Sequence, residues 1–222
     1  FKVEPFQAPD LNSTIQTTLQ ELKSLHLNAK EQQIIREFLV LHRQVKSMSY
    51  MPEAKQANYN LLVCSEEDAP TELLVKTLQD ALQITDNQVV DFTEQDLMRV
   101  YENTRVVRSP KELPPDVDDD TAIFWIKNCK EAPRVNMDGG AAARDADQRK
   151  LNAYNTMWQA VFNLSRKYPD IAIIVSCTQE IYRSTLRSFT DLSRRLCGHH
   201  IHLMPPTLEE VLEICRTRLE RS

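Results

Sequence analysis

Three histidines fall within four residues near the end of the chain, His199, His200 and His202, and five cysteines are spread along it, Cys64, Cys129, Cys177, Cys197 and Cys215. Imidazole and thiolate are the usual ligands of zinc, so a metal centre is the first chemistry to weigh. The spacing argues against it. His200 and His202 would share one face of a strand, but no carboxylate or cysteine stands at a familiar ligand distance and no CxxC pair occurs. A polar strand edge is the plainer reading, and no metal is assigned. Cys177 with His199 or His200 would make a thiol nucleophile and its base, but no residue in sequence context orients the imidazole. The acidic run Asp116–Asp120 lacks the glycine and spaced ligands of a calcium loop and reads as a solvated segment. Cys64, Cys129 and Cys177 lie in or beside apolar runs, where reduced thiols pack as small hydrophobes. That usage makes the cytoplasm the default compartment.

Composition narrows the classes further. The 222 residues carry 27 Lys+Arg against 32 Asp+Glu, a net charge of −5, with 41% hydrophobic and 27% charged residues. This is the balance of a globular chain with a substantial core. No apolar run approaches the ~18 residues of a membrane span, and no basic-then-apolar export signal opens the chain. A first residue of Phe1 rather than Met suggests a piece of something longer. Mild acidity disfavours a nucleic-acid coat. Three glycines is far below the average of about 7%, which counts against any function built on a glycine-rich phosphate cradle.

The elements that would position chemistry follow from periodicity. Leu11, Ile15, Leu19, Leu22 and Leu25 recur at helical spacing behind Asp10 and Asn12, and a second helix is predicted from Ala29 to Ser49. YNLLVC (59–64) reads as a buried strand, followed by SEEDAPT and a helix carrying Leu73, Leu74, Leu78 and Leu82. QVVDFT (88–93) is a second strand and EQDLMRVYENT a short helix. The connector 109–120 contains Pro114-Pro115 and cannot be helical there. TAIFWIKN (121–128) is a third strand, APRVNMDGGAAARDADQ a predicted mobile loop, and Leu151 to Lys167 a helix with Tyr154, Met157, Trp158, Val161 and Leu164 on one face. DIAIIVSC (170–177) and HIHLM (200–204) complete five strands, and Thr207 with Glu210 forms a capping box opening a last helix. Strands alternating with helices predict an α/β fold, a parallel sheet sandwiched by helices. Residues 1–50 read as a helical segment packed on the core, 51–222 as the core itself.

The order and spacing of these words resemble an AAA+ ATPase domain of the group containing the red-type Rubisco activases and the stage V sporulation protein K type. The likeness runs from about Ser24 to Ser222. TEQDLMRVYENT matches the family segment T-x-x-D-L-x-x-x-Y-x-G-x-T, with Asn103 in place of glycine. AIFWIKN matches the strand that ends in an Asp-Glu pair, and IAIIVSCT the sensor-one strand, placing Cys177 and Thr178 at the sensor-one position. RSFTDLSRRLCGHHIHL matches the segment ending in the arginine finger, and TLEEVLEI the motif T-x-E-E-L-x-x-I. The resemblance implies a five-stranded AAA+-like sheet with two leading helices. The family continues into a helical lid, of which this chain, ending at RTRLERS, has at most the first helix.

The same alignment shows that the phosphate chemistry is missing. A phosphate loop, GxxxxGK[ST], needs glycines so that backbone N–H groups converge, a Lys for charge and a Ser/Thr for Mg²⁺. Here Ser65 and Pro70 stand at the glycine positions, Thr71 at the lysine and Glu72 at the Mg²⁺ ligand. Pro70 has no N–H to donate, and Glu66, Glu67 and Asp68 would face a triphosphate with like charge. A like-charge pair at 4 Å costs about 4 kcal/mol at an effective dielectric near 20. The Asp-Glu pair is replaced by Lys127 and Asn128; a lysine repels Mg²⁺ and an amide takes no proton from water. The expectation is an ATPase fold without ATPase chemistry, with no catalytic residue and no cofactor.

What survives points outward. Arg194 and Arg195 match the arginine-finger region, which in AAA+ rings reaches a neighbour's ATP site. Their plainer reading is a solvated pair. Tyr101 matches a pore aromatic that grips a client polypeptide, or is simply a partly buried ring. The basic residues Arg144, Arg149, Lys150, Arg166, Lys167, Arg183, Arg187, Arg194 and Arg195 lack interleaved aromatics for base stacking and suit a protein interface. The leading expectation is a non-catalytic AAA+-like subunit or domain that assembles with and regulates a partner ATPase or client, or self-associates in a ring. The alternatives are a stand-alone interaction scaffold and an NTPase with a rearranged site.

Overall fold

The computed structural model describes residues 10–47, 60–66, 68–102, 117, 120–168, 171–186, 199–204 and 212. Two helices lead: α1 (Leu11–Glu21), continued by a 3₁₀ turn over Leu22–Leu25, and α2 (Ala29–Ser47). Then come β1 (Asn60–Ser65), α3 (Asp68–Ala81), β2 (Val89–Thr93), α4 (Glu94–Glu102), β3 (Ile123–Lys127), α5 (Ala141–Lys167), β4 (Ala172–Cys177), the single turn α6 (Gln179–Ile181) and β5 (His199–Leu203). The strands form one sheet in the order β2-β3-β4-β1-β5, every pair parallel. The protein is thus an α/β fold with a five-stranded parallel sheet sandwiched by helices, consistent with an AAA+-like architecture. No helix among the described residues is long and apolar enough to cross a membrane.

Period-two alternation divides the core between the two faces of this sheet. Leu61, Val63, Ile123, Trp125, Ala172, Ile174, Ile201 and Leu203 point to one face, where Ile15 and Leu22, then Ile35, Phe38 and Leu39 of α2, and Leu74 and Leu78 of α3 cover them. Leu62, Cys64, Phe124, Ile126, Ile173, Val175 and Cys177 point to the other, beneath Leu97 of α4 and Tyr154, Met157, Trp158, Val161 and Leu164 of α5. Strands buried on both sides must be apolar at every position, which is why the sequence shows runs rather than alternation.

A buried carboxylate helps tie the leading helices to the sheet. Asn28 caps α2, its Oδ1 accepting from the Lys30 and Glu31 N–H groups at 3.0 Å each, and Glu31 Oε2 accepts from the Asn28 N–H at 2.9 Å. This is the reciprocal capping box. The other oxygen, Oε1, accepts from the backbone N–H of His202 on edge strand β5 at 3.1 Å. The bond satisfies an outward-facing donor that would otherwise invite further strand pairing.

One boundary differs from the sequence reading. Helix α5 begins at Ala141, so the AAARDADQ stretch expected to be loop is helical. It has no apolar period because none of its residues is buried; alanine's helix propensity suffices there. Gly140 supplies the N-cap, and Asp147 Oδ2 accepts from the Asn136 N–H at 3.2 Å, folding the preceding loop back on the helix. The connector around Pro114-Pro115 and the capping box at Thr207 lie outside the described residues.

Candidate functional site

Parallel sheets place ligand sites in the crevice beyond the carboxyl ends of their strands. A cavity of about 540 Å³ lies there, at the ends of β1, β3 and β4, walled by Ser65, Glu66, Thr71, Thr93, Gln95, Asn128, Cys129, Lys130, Ser176, Cys177, Thr178 and Ile181. Of the residues singled out from sequence, Ser65, Thr71, Asn128, Cys177 and Thr178 meet in this one wall. Sequence positions up to 113 apart converge because β1 pairs directly with β4, Cys64 opposite Cys177.

Four other residues take different places. Pro70 sits half-buried in the first turn of α3 and Glu72 is exposed; neither belongs to the cavity wall. Lys127 is turned away: its Nζ lies 2.6 Å from Asp91 Oδ2 on β2 and 3.9 Å from the centroid of the Trp125 ring. Its charge is engaged at the sheet edge instead. Tyr101 is buried in the second core at 8% exposure, packed rather than displayed. Arg194 and Arg195 lie outside the described residues.

Most of the cavity's polar side chains are already engaged. Thr93 Oγ1 donates to Asp96 Oδ2 and accepts from the Asp96 N–H at 3.1 Å, capping α4. Thr178 Oγ1 accepts from the Ile181 N–H at 3.3 Å, capping α6, and Glu66 Oε1 accepts from the Gln179 N–H at 3.2 Å. Ser176 Oγ accepts from Trp125 Nε1 at 2.5 Å. Asn128 has φ 54°, a left-handed conformation that asparagine tolerates better than most residues. The turn it makes lets the Cys129 N–H reach Ser176 O at 3.2 Å. Thr71, at the position a phosphate-loop lysine would hold, is 2% exposed.

These residues do not fit a magnesium nucleotide. The turn from β1 to α3 contains no glycine, and its carboxylate, Glu66, is fixed at the cavity wall. Among the described residues the only other charged group in that wall is Lys130, whose Nζ is 3.4 Å from Gln95 Oε1. A triphosphate would meet no net charge from the described wall residues, and the wall residues at the end of β3 include no carboxylate for a metal.

Beneath the cavity lies a carboxyl that sequence reasoning missed. Glu94, the first residue of α4, is 4% exposed, and its Oε1 accepts from the Lys130 N–H at 3.1 Å. Burial pushes its pKa up to about 7, against the lowering effects of the Lys130 N–H and the neighbouring Cys129. The Tyr154 phenol is pushed up as well, by its own burial and then by the nearby Glu94 charge. In sequence, Glu94 is an ordinary first-turn acid; only the strand-to-helix turn that tucks it under residues 129–130 distinguishes it.

The histidines serve the sheet edge. His199 Nε2 lies 3.6 Å from Glu37 Oε2 on α2 and its Nδ1 3.4 Å from Asn60 O. His200 points to the opposite face, its Nε2 3.1 Å from Cys64 Sγ and its ring 4.4 Å from that of Tyr182. Burial, then the neighbouring His202 and Lys30, lowers its pKa, against the raising effect of Glu31. Among the described residues no three His, Cys, Asp or Glu side chains converge as metal ligands.

A comparison with protein-family models finds none that matches, and a comparison with curated proteins finds no match. The AAA+ resemblance therefore rests on the motif order and on the sheet.

Proposed function

We propose that this chain is a non-catalytic AAA+-like domain, a pseudo-ATPase that assembles with a protein partner and regulates it, the partner being an active AAA+ ATPase or its client. The observation that carries the reading is the cavity: it lies where such a fold holds nucleotide, yet several of its polar groups cap helices and its described wall residues include neither glycine nor net positive charge. A cavity most of whose polar groups are engaged with the protein itself acts as a structural junction. The functional surface is then elsewhere, and Arg194 and Arg195 are its candidates, acting on a neighbour's site. Three buried thiols, Cys64, Cys129 and Cys177, suit a reducing cytoplasmic setting. The buried Tyr101 favours, as a second reading, an interaction scaffold that grips no client.

The test has two steps. The purified chain is assayed for Mg-ATP hydrolysis, for which no turnover above buffer is expected. An AAA+ ATPase recovered with the chain from its own cells is then assayed with and without it. Stimulation by the wild type that is lost in Arg195→Ala supports action in trans. Turnover by the chain alone contradicts the reading.

A further inference from the structure

Cys64 and Cys177 are direct partners on neighbouring parallel strands, and their Sγ atoms are 3.7 Å apart. Adjacent strands run about 4.8 Å apart, inside the Cα separation of about 4.4–6.8 Å that a disulfide spans. Closing the gap to a bond of about 2.05 Å takes side-chain rotation and a slight approach of the two strands, since a disulfide brings Cβ atoms to about 3.5–4.5 Å. The two thiols differ in their surroundings. Cys177, 5% exposed, is in the cavity wall; Cys64, fully buried, lies behind it with His200 Nε2 at 3.1 Å. His200 is flanked by the Tyr182 ring and by His202 on its own strand, and it feels the charges of Lys30 and Glu31 at the start of α2. A neutral imidazole at this distance can take a thiol proton. Cavity-wall thiol, buried thiol and base thus stand in a row across β4, β1 and β5.

We propose that Cys64 and Cys177 form a dithiol modification site that a small hydroperoxide entering the cavity converts to an intramolecular disulfide. Cys177 Sγ attacks one peroxide oxygen and the O–O bond breaks. The thiol proton goes to the departing hydroxide, leaving Cys177 sulfenic acid and one water. Cys64 passes its proton to His200 Nε2, and its sulfur attacks Cys177 Sγ. The S–O bond breaks, and the hydroxide released recovers that proton as a second water. In sum two thiols and one hydrogen peroxide give one disulfide and two waters, sulfur oxidised and peroxide oxygen reduced. The bond would join the two strands whose ends floor the cavity. This inference stands independently of the pseudo-ATPase reading, since it needs no partner and no nucleotide.

The experiment treats the whole chain with hydrogen peroxide, unfolds it in iodoacetamide without reductant, and maps the peptides by mass spectrometry. The expected product is a Cys64–Cys177 cross-linked peptide, two hydrogens lighter than its parts, that disappears on reduction. In Cys64→Ala the sulfenic acid should persist at Cys177 and be trapped by dimedone. In His200→Gln the Cys177 sulfenic acid should form at the wild-type rate while closure slows at least about tenfold. Both cysteines alkylated after oxidation would overturn the proposal. So would a link from either of them to Cys129, Cys197 or Cys215 in its place, or closure in His200→Gln as fast as in wild type.

Discussion

The two faces of the sheet are built from different materials. The face under α1, α2 and α3 is almost purely hydrocarbon: Ile35, Phe38, Leu39, Leu61, Val63, Leu74 and Leu78 are at most 1% exposed, and no cysteine is among its core residues. The face under α4 and α5 contains every described thiol, with Tyr154 and Trp158 among its aromatic rings. Glu94, at the start of α4, is buried beside it. The cavity wall includes Cys129 and Cys177 of that second face. The apolar core of the first face has no titratable member, the buried Glu31 and His42 of α2 lying outside it, and the other face concentrates groups whose burial costs free energy. In this molecule, stability and chemical responsiveness are divided by the sheet.

The sharpest way to break that comparison is to cut each face. Phe38→Ala removes a fully buried ring from the first face and should cost about 3–5 kcal/mol, measured by urea unfolding, without altering the peroxide reactivity of Cys177. A change in that reactivity would show that the faces are not independent. On the second face Glu94→Gln should act with the opposite sign. A carboxyl whose pKa is raised on folding, here from 4.5 to about 7, binds its proton more tightly folded than unfolded. Its contribution is therefore most favourable below about pH 4.5, falls as pH rises across that window, and reaches a penalty of about 3 kcal/mol above pH 7. Glutamine keeps the acceptor for the Lys130 N–H but cannot ionise. The variant should exceed the wild type in stability at pH 8 and nearly match it at pH 5, by thermal unfolding at both. A smaller effect is expected where the two faces meet the cavity: Asn128→Val places a β-branched residue at φ 54° and should cost about 1–2 kcal/mol, whereas Asn128→Gly should be close to neutral.

Much of this architecture could be read from the chain. The apolar runs around Leu62, Phe124 and Ile174 identify buried strands, and the spacing of Tyr154, Met157, Trp158, Val161 and Leu164 gives the buried side of α5, because both signals reflect burial residue by residue. The convergence of Ser65, Thr71, Asn128, Cys177 and Thr178 followed only once strands were aligned with a family pattern. The orientation of Lys127 was not legible, since it depends on Asp91 being one strand away, in register with Trp125. The Cys64–His200 contact and the burial of Glu94 were hidden for the same reason. Strand order and register set them, and local periodicity carries neither. The extent of α5 was missed because its first ten residues are held by alanine propensity and Gly140 rather than by a buried stripe.

The central claim, that the cavity has the position of a nucleotide site and not its chemistry, is tested most directly by the thermal unfolding midpoint with and without millimolar Mg-ATP. A ligand present at 100 times its Kd adds about 2.7 kcal/mol, a shift of several degrees in a domain of this kind. The account predicts no shift. A clear rise, abolished by a bulky substitution at Thr71, would contradict it and return nucleotide to the cavity.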